Sequence, residues 1–421
     1  MKIRVLAAGA MAVGLALSGC GRSDPGTSAA PATGSAVATA AVTGDLTMWA
    51  MGAEGENLPE LIKDFTAANP GIKVKVTAVP WDSAHDKFAN AITAGTTPDI
   101  AMVGTTWMGE FADLDALDPT PGNIDKAKFF PGAQATTEVG GTSFGVPWYV
   151  ETRLVYYRKD LATKAGLTEV PKDWDSFKAF VQKMKSASGV KYPISLQPGG
   201  TGSWQTVMPF AWSNGAELAS GDAWTMDTPQ MAEAWTYYQS FFTEGLADKA
   251  PAAGTTEADF ASGKVPMFIS GPWMMSAVEK TGGAGFADKY DVFVMPAKQI
   301  SASFIGGSNL VVFKNTEARD AAWKLADWLT QPDVQVKWYG ISTDLPSVQA
   351  AWEDPELTAD TKLAQFGIQM KTAKAPPTFP TWEQVAVKFD SQVEKVAKQA
   401  ADVAAALKSV QQEATSIGTG G

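Results

Sequence analysis

The chain has 421 residues, a formal net charge of −11, one cysteine and one histidine. A lone Cys excludes intrachain disulfides and thiolate metal clusters, and a lone His excludes a multi-histidine metal site and leaves a serine-type triad only one base. Acidity without a basic cluster argues against nucleic acid and against an electrostatic membrane patch.

Lys2 and Arg4 precede an apolar run from Val5 to Leu17 that ends in Leu17-Ser18-Gly19-Cys20. This is the layout of a secretory signal peptide over residues 1–19, and the run is short for a membrane span. Leu-Ser-Gly-Cys resembles a bacterial lipobox, which implies cleavage before Cys20 and its lipidation. From Gly21 to Gly44 the chain is mostly Ala, Thr, Ser, Gly and Pro. It is expected to form a flexible tether, residues 20–44, with a reach of roughly 25–30 Å. The rest is long enough for two domains of about 100–200 residues each.

Asp45 to Ala50 reads as a strand running into a Gly52/Gly55 loop. Leu58, Leu61, Ile62 and Phe65 recur at helical spacing before Asn69-Pro70-Gly71. Ile72 to Thr77 alternates apolar and polar residues as a half-buried strand does, and Pro80-Trp81 ends it. Asp82 suits the N-cap of a helix carrying Phe88 and Ile92 and closing at Gly95, and residues 98–103 form a third strand. The β-α-β-α-β order predicts an open α/β sheet, whose ligands bind beyond the carboxyl ends of the strands. Three tryptophans, Trp49, Trp81 and Trp107, fall on that rim together with Glu54.

A second α/β region starts near residue 154. Strands are expected at Leu154–Tyr157, Tyr192–Leu196, Pro266–Ser270 and Val292–Met295, and helices at Asp175–Lys185 and Pro229–Phe242. Phe389, Val393, Val396, Ala400, Val403, Leu407 and Val410 follow a 4-3 spacing, which a coiled-coil partner would also show. Their Ala/Val-rich seam fits better two helices packed on the second domain. Fifteen Trp against eight Tyr is a notable excess. Large flat apolar faces with one N–H donor suit stacking on sugar rings. Trp174, Trp235, Trp323 and Trp328, in helix-like stretches, are expected in the core.

The segment Phe144-Gly-Val-Pro-Trp-Tyr-Val-Glu-Thr-Arg-Leu-Val-Tyr-Tyr157, then Ile269-Ser-Gly-Pro-Trp273, then Pro380-Thr-Trp382, together resemble the extracellular solute-binding protein family 1. The resemblance implies an α/β, two-domain periplasmic-binding-protein-like fold with a ligand cleft between the domains and several hinge crossings. It places residues 45–150 and 303–345 in a first domain and 151–302 and 346–421 in a second. It also implies sugar contacts for Glu151, whose carboxylate can accept hydrogen bonds from two hydroxyls, and stacking roles for Trp273 and Trp382. Arg153 falls on the strand face of Glu151 and serves either the ligand or an interdomain ion pair. Trp148, beside Tyr149, and Gly306 join the candidate set. His85, one turn after Trp81, is either a hydroxyl donor or a surface or interdomain residue. Gly199-Gly-Thr-Gly-Ser-Trp204 lacks the Gly-Lys-Ser/Thr ending of a P-loop and reads as a cleft-lining turn presenting Trp204.

Charged residues of the family's maltose binders are not reproduced in the first and third loops, which here read Met51-Gly-Ala-Glu54 and Thr105-Thr106-Trp107. The expected function is the carbohydrate-binding subunit of an ABC-type importer, not an enzyme. It would be a monomer without a cofactor, held on the outer face of the cytoplasmic membrane by its lipid and partnered by permease subunits. The alternatives are a lipoprotein glycosidase using two carboxylates and a binder of a non-sugar solute on the same fold.

Overall fold

A computed structural model describes residues 33–37 and 42–420. The signal-peptide and Cys20 readings lie outside the described residues. β1 (Gly44–Met51), α1 (Gly52–Ala68), β2 (Ile72–Val79), α2 (Trp81–Ala94) and β3 (Ile100–Gly104) follow the expected order, and β1 pairs in parallel with β2 and β3. Leu58, Leu61, Ile62 and Phe65 are all buried along α1, and Gly95 closes α2 with φ 65°.

Two local expectations need correction. The expected Gly52/Gly55 loop is the first turn of α1, which starts as β1 ends. A Cβ on Gly55 would stand 2.4 Å from the Ala50 carbonyl oxygen, so glycine lets the helix lie directly on its strand. α2 starts at Trp81 with Pro80, not Asp82, at the N-cap.

The first sheet runs Leu345–Pro346, Val146–Thr152, Ser303–Val312, β3, β1, β2, with Ala373–Lys374 paired to the Ser303–Val312 strand. That long strand is antiparallel to both its neighbours, β3 and Val146–Thr152. The second sheet runs Asp291–Phe293, Leu154–Tyr157, Met267–Ser270, Ile194–Ser195. The chain therefore passes from first sheet to second within Thr152–Leu154 and returns between Phe293 and Ser303.

Each sheet has its own core. Leu46, Met48, Phe65, Phe88, Val103, Trp148 and Trp323 belong to one; Phe177, Phe210, Trp235, Phe241 and Phe293 to the other. A third cluster, with Val150, Tyr156, Ile305, Leu345 and Phe366, joins residues of both sheets near the crossings. Trp174, Trp235 and Trp323 are buried as expected, and Trp328 packs partly against the first core. The C-terminal seam is used within the chain. Helices Trp382–Gln399 and Val403–Ile417, separated by Ala400 at φ 54°, bury Phe389, Val393, Val396, Val403, Leu407 and Val410 in the second core.

Part of the expected tether is docked. Gly34 N–H donates to the Thr120 carbonyl at 3.1 Å, and Val37 N–H to Asn123 Oδ1 at 2.9 Å. Arg319 Nη2 donates to the Ser35 carbonyl at 3.0 Å. Small side chains bury little apolar surface, but their backbone groups bond like any others. Among the described residues no helix is long and apolar enough to cross a membrane.

Candidate functional site

A cavity of about 450 Å³ opens at the carboxyl ends of β1 to β3 and is closed on its other side by residues of the second sheet's region. Its first wall carries Glu54, in the first turn of α1, Trp81, at the start of α2, and Thr105 to Trp107 after β3. The Trp81 and Trp107 rings meet edge to face at 6.2 Å. Gly52 has φ 52°, and a Cβ there would lie 2.5 Å from the Trp81 ring, so this glycine leaves room for the indole. The opposite wall is Gln205, Pro272 and Trp273. Trp81 is 40% exposed and Trp273 46% exposed, unusual openness for two rings that line one cavity.

The floor comes from the strand Val146–Thr152. Its burial alternates: Trp148, Val150 and Thr152 are buried while Tyr149 and Glu151 are partly open, and both of these line the cavity. Glu151 pairs across the sheet with Gly306, where a Cβ would stand 3.0 Å from its Oε1. The glycine thus clears space for the carboxylate. Ser342 to Leu345 complete the rim.

Asp344 is the electrostatic centre of this floor. Burial first, then the Glu54 carboxylate and more weakly that of Glu151, push it up to about 8, against hydrogen bonds from Ser342 and Trp338. Trp338 Nε1 donates to Asp344 Oδ2 at 3.1 Å. The same surroundings hold Tyr149 well above the ordinary phenol range, burial leading and Asp344 and Glu54 adding to it.

Arg153 is absent from the cavity lining. Its Nη1 donates to Glu151 Oε2 at 2.6 Å and its Nη2 to Gln205 Oε1 at 2.8 Å, and its guanidinium lies 4.7 Å from the centre of the Trp273 ring. It is an ion-pair partner that fixes two lining side chains.

Of the expected ligand contacts, Glu54, Trp81, Trp107, Glu151, Trp273 and Gly306 meet around one cavity. Five others do not, each for a packing reason. Trp49 lies against Phe88 at 5.5 Å with Lys87 over its other ring contact at 4.3 Å. His85 stacks on Phe111 and bonds Glu110 Oε2 through Nε2 at 2.9 Å. Trp148 is 0% exposed and stacks on Trp338 at 4.9 Å. Trp204, 4% exposed, and Trp382, 1% exposed, pack edge to face at 5.0 Å in the second core.

The glycine-rich turn before Trp204 also differs from expectation. It faces an anion supplied by the protein itself: Asp390 accepts from Gly202 N–H at 2.7 Å, Ser203 Oγ at 2.8 Å and Trp204 N–H at 2.8 Å. A carboxylate at a helix N-terminus is favourable there, so the turn anchors the last long helices and presents nothing to the cleft.

Tyr149, Gln205, Phe304 and Asp344 line the cavity without having been singled out as contacts. Strand alternation from Glu151 identifies Tyr149 and excludes Trp148. Gln205, Phe304 and Asp344 depend on chain crossings that no local pattern reveals.

Two α/β halves linked by repeated crossings, with an aromatic and acidic cavity between them, define a solute-binding protein. The chain belongs to the family of bacterial extracellular solute-binding proteins, whose pattern matches residues 49–336. It is similar to a maltotriose-binding protein of Pyrococcus abyssi, 25% identical over 84% of this chain and 77% of that one. The diacetylchitobiose binding protein of Streptomyces coelicolor is 28% identical over 66% of this chain and 67% of its own. Among solved structures, the sugar-binding protein MalE of Xanthomonas citri superposes with a TM-score of 0.84 at 31% identity, covering 89% of this chain and 97% of that one. The family's members bind solutes outside the cytoplasm as components of ABC-type transporters.

Proposed function

We propose that the protein captures a carbohydrate in the cavity between its two α/β halves and delivers it to the permease of an ABC-type importer. The observation that carries this reading is the pair of open tryptophans, Trp81 and Trp273, on facing walls of one cavity with Glu151 at its floor. Indole faces cover the C–H faces of a pyranose, and a carboxylate accepts from its hydroxyls. The similarity to proteins named for maltotriose, diacetylchitobiose and sugar supports the same class of ligand.

In this reading Cys20 carries the lipid that holds the protein at the outer face of the membrane, and the protein works as a monomer without a cofactor. The domains exchange at residues 150/151, 302/303 and 345/346, where the chain passes between the sheets. A calorimetric screen of mono- to pentasaccharides is the test. Saturable heat with at least one sugar, accompanied by a smaller radius of gyration in solution scattering, is the expected result. Heat from none of the sugars but from an amino acid, peptide or polyamine would overturn it.

A further inference from the structure

Trp273 borders two cavities. Besides the main one, it lines a second of about 380 Å³, and Pro272 and Thr343 are likewise common to both. The two spaces therefore meet along Trp273 on one side and Thr343 on the other. The ring is held as a partition: a Cβ on Gly271 would lie 2.0 Å from it, so it folds back over bare backbone, while Arg153 stands by it at 4.7 Å.

The second cavity has the polar character of a hydroxyl-binding surface. Trp273, Ser276 and Lys280 follow i, i+3, i+7 along the helix Trp273–Gly282, with Met275 and Glu279 beside them. Across from them stand Tyr339, Asp360 and Leu363. The Asp360 carboxylate already accepts from Lys362 N–H at 2.8 Å, and Glu279 Oε1 from Tyr290 Oη at 2.6 Å, so both are oriented by other groups. Each keeps acceptor capacity for a further donor. A phenol, a hydroxyl, an ammonium and two carboxylates offer donors and acceptors in one space, beside the edge of an exposed indole.

We infer that the second cavity is a further sugar subsite and that the ligand is an oligosaccharide that runs from the main cavity past Trp273 into it. This rests on the carbohydrate reading and narrows it to a chain of at least three rings. A monosaccharide would leave the second space to water, whereas a longer chain continues over the same indole.

The experiment is calorimetry of the mature protein against α-1,4- and β-1,4-linked glucose oligomers and β-1,4-linked galactose and N-acetylglucosamine oligomers, each from one to five rings. In the series that binds, affinity should rise at least tenfold between two and three rings. Ser276→Leu, which fills the second cavity from an exposed helix position, should remove that gain and leave the disaccharide within about twofold of wild type. Lys280→Ala should weaken only the longer ligands. Equal affinity for all lengths, or a Ser276→Leu variant that binds every length like wild type, would overturn the subsite while leaving carbohydrate binding intact. Binding of no saccharide would bring down both readings.

Discussion

The Arg153 guanidinium lies 4.7 Å from the centre of the Trp273 ring while its Nη1 donates to Glu151 at 2.6 Å. One cation thus links the floor of the cavity to its far wall, across the point where the chain leaves the first sheet for the second. Its side chain is largely buried, so removing it leaves Glu151 with a desolvated charge and Trp273 without support on that side.

A double-mutant cycle over Arg153→Ala and Glu151→Ala reads this link. Denaturant unfolding should give a coupling of about 0.5–3 kcal/mol, as for residues in one hydrogen-bonded network. Arg153→Lys should recover little, because an ammonium lacks the planar fork that reaches Glu151 and Gln205 together. Additive single effects would show that the ion pair contributes nothing beyond proximity.

The tryptophans divide into two groups by exposure, and their alanine variants should divide the same way. Trp81→Ala and Trp273→Ala are expected to weaken sugar binding by about 1–3 kcal/mol, roughly 5-fold to 150-fold. Their melting temperatures should stay near wild type, since both rings are substantially open. Trp382→Ala should instead lose about 3–5 kcal/mol of stability, because its ring is fully packed against Trp204. A Trp382→Ala variant that melts like wild type but fails to bind would restore that residue to the ligand.

Asp390 gives a prediction independent of the ligand. It satisfies two backbone N–H groups and the Ser203 hydroxyl at the start of the helix Trp204–Ser213. Burial pushes its carboxyl above the ordinary range, opposed by these donors. Asp390→Ala would strand them in the interior, at about 1–3 kcal/mol for each unsatisfied group. Chemical denaturation should show the loss, and Asp390→Asn should recover part of it through its remaining acceptor oxygen. Wild-type stability in Asp390→Ala would mean that water replaces the carboxylate without penalty.

How far the sequence could lead follows from which interactions are local. Leu58, Leu61, Ile62 and Phe65 declare their helix because its buried face is written at fixed spacing. The positions of Glu151 and Trp273 were legible from family-like segments. The direction of Trp148 was also legible, in the alternation that sends Tyr149 and Glu151 to the opposite face. Trp382 was misread because its resemblance carried a role, whereas its packing depends on Trp204, far away in the chain. Asp344 was invisible for the same reason: its surroundings are Glu54, Trp338 and Glu151, brought together only by the returning strand and helix.

Asp344 makes stability depend on pH in a direction opposite to most carboxylates. In the folded protein its pKa is raised to about 8, by burial first and by the charges of Glu54 and Glu151 after it. In the unfolded chain it titrates in the ordinary carboxylate range, near 3.9. Between these values the native state holds a proton that the unfolded state has released, so stability falls as pH rises. The slope from this one group is at most about 1.4 kcal/mol per pH unit, and it vanishes above the folded value. Glu383 and Asp390, also raised by burial, add slopes of the same sign, so the variant difference carries the test. Asp344→Asn keeps an oxygen for the Trp338 indole N–H but cannot ionise. Thermal unfolding at pH 5 should show the two proteins close together, and at pH 8 the variant should melt higher. Parallel melting curves from pH 5 to 8 would show that Asp344 ionises normally within the folded cavity.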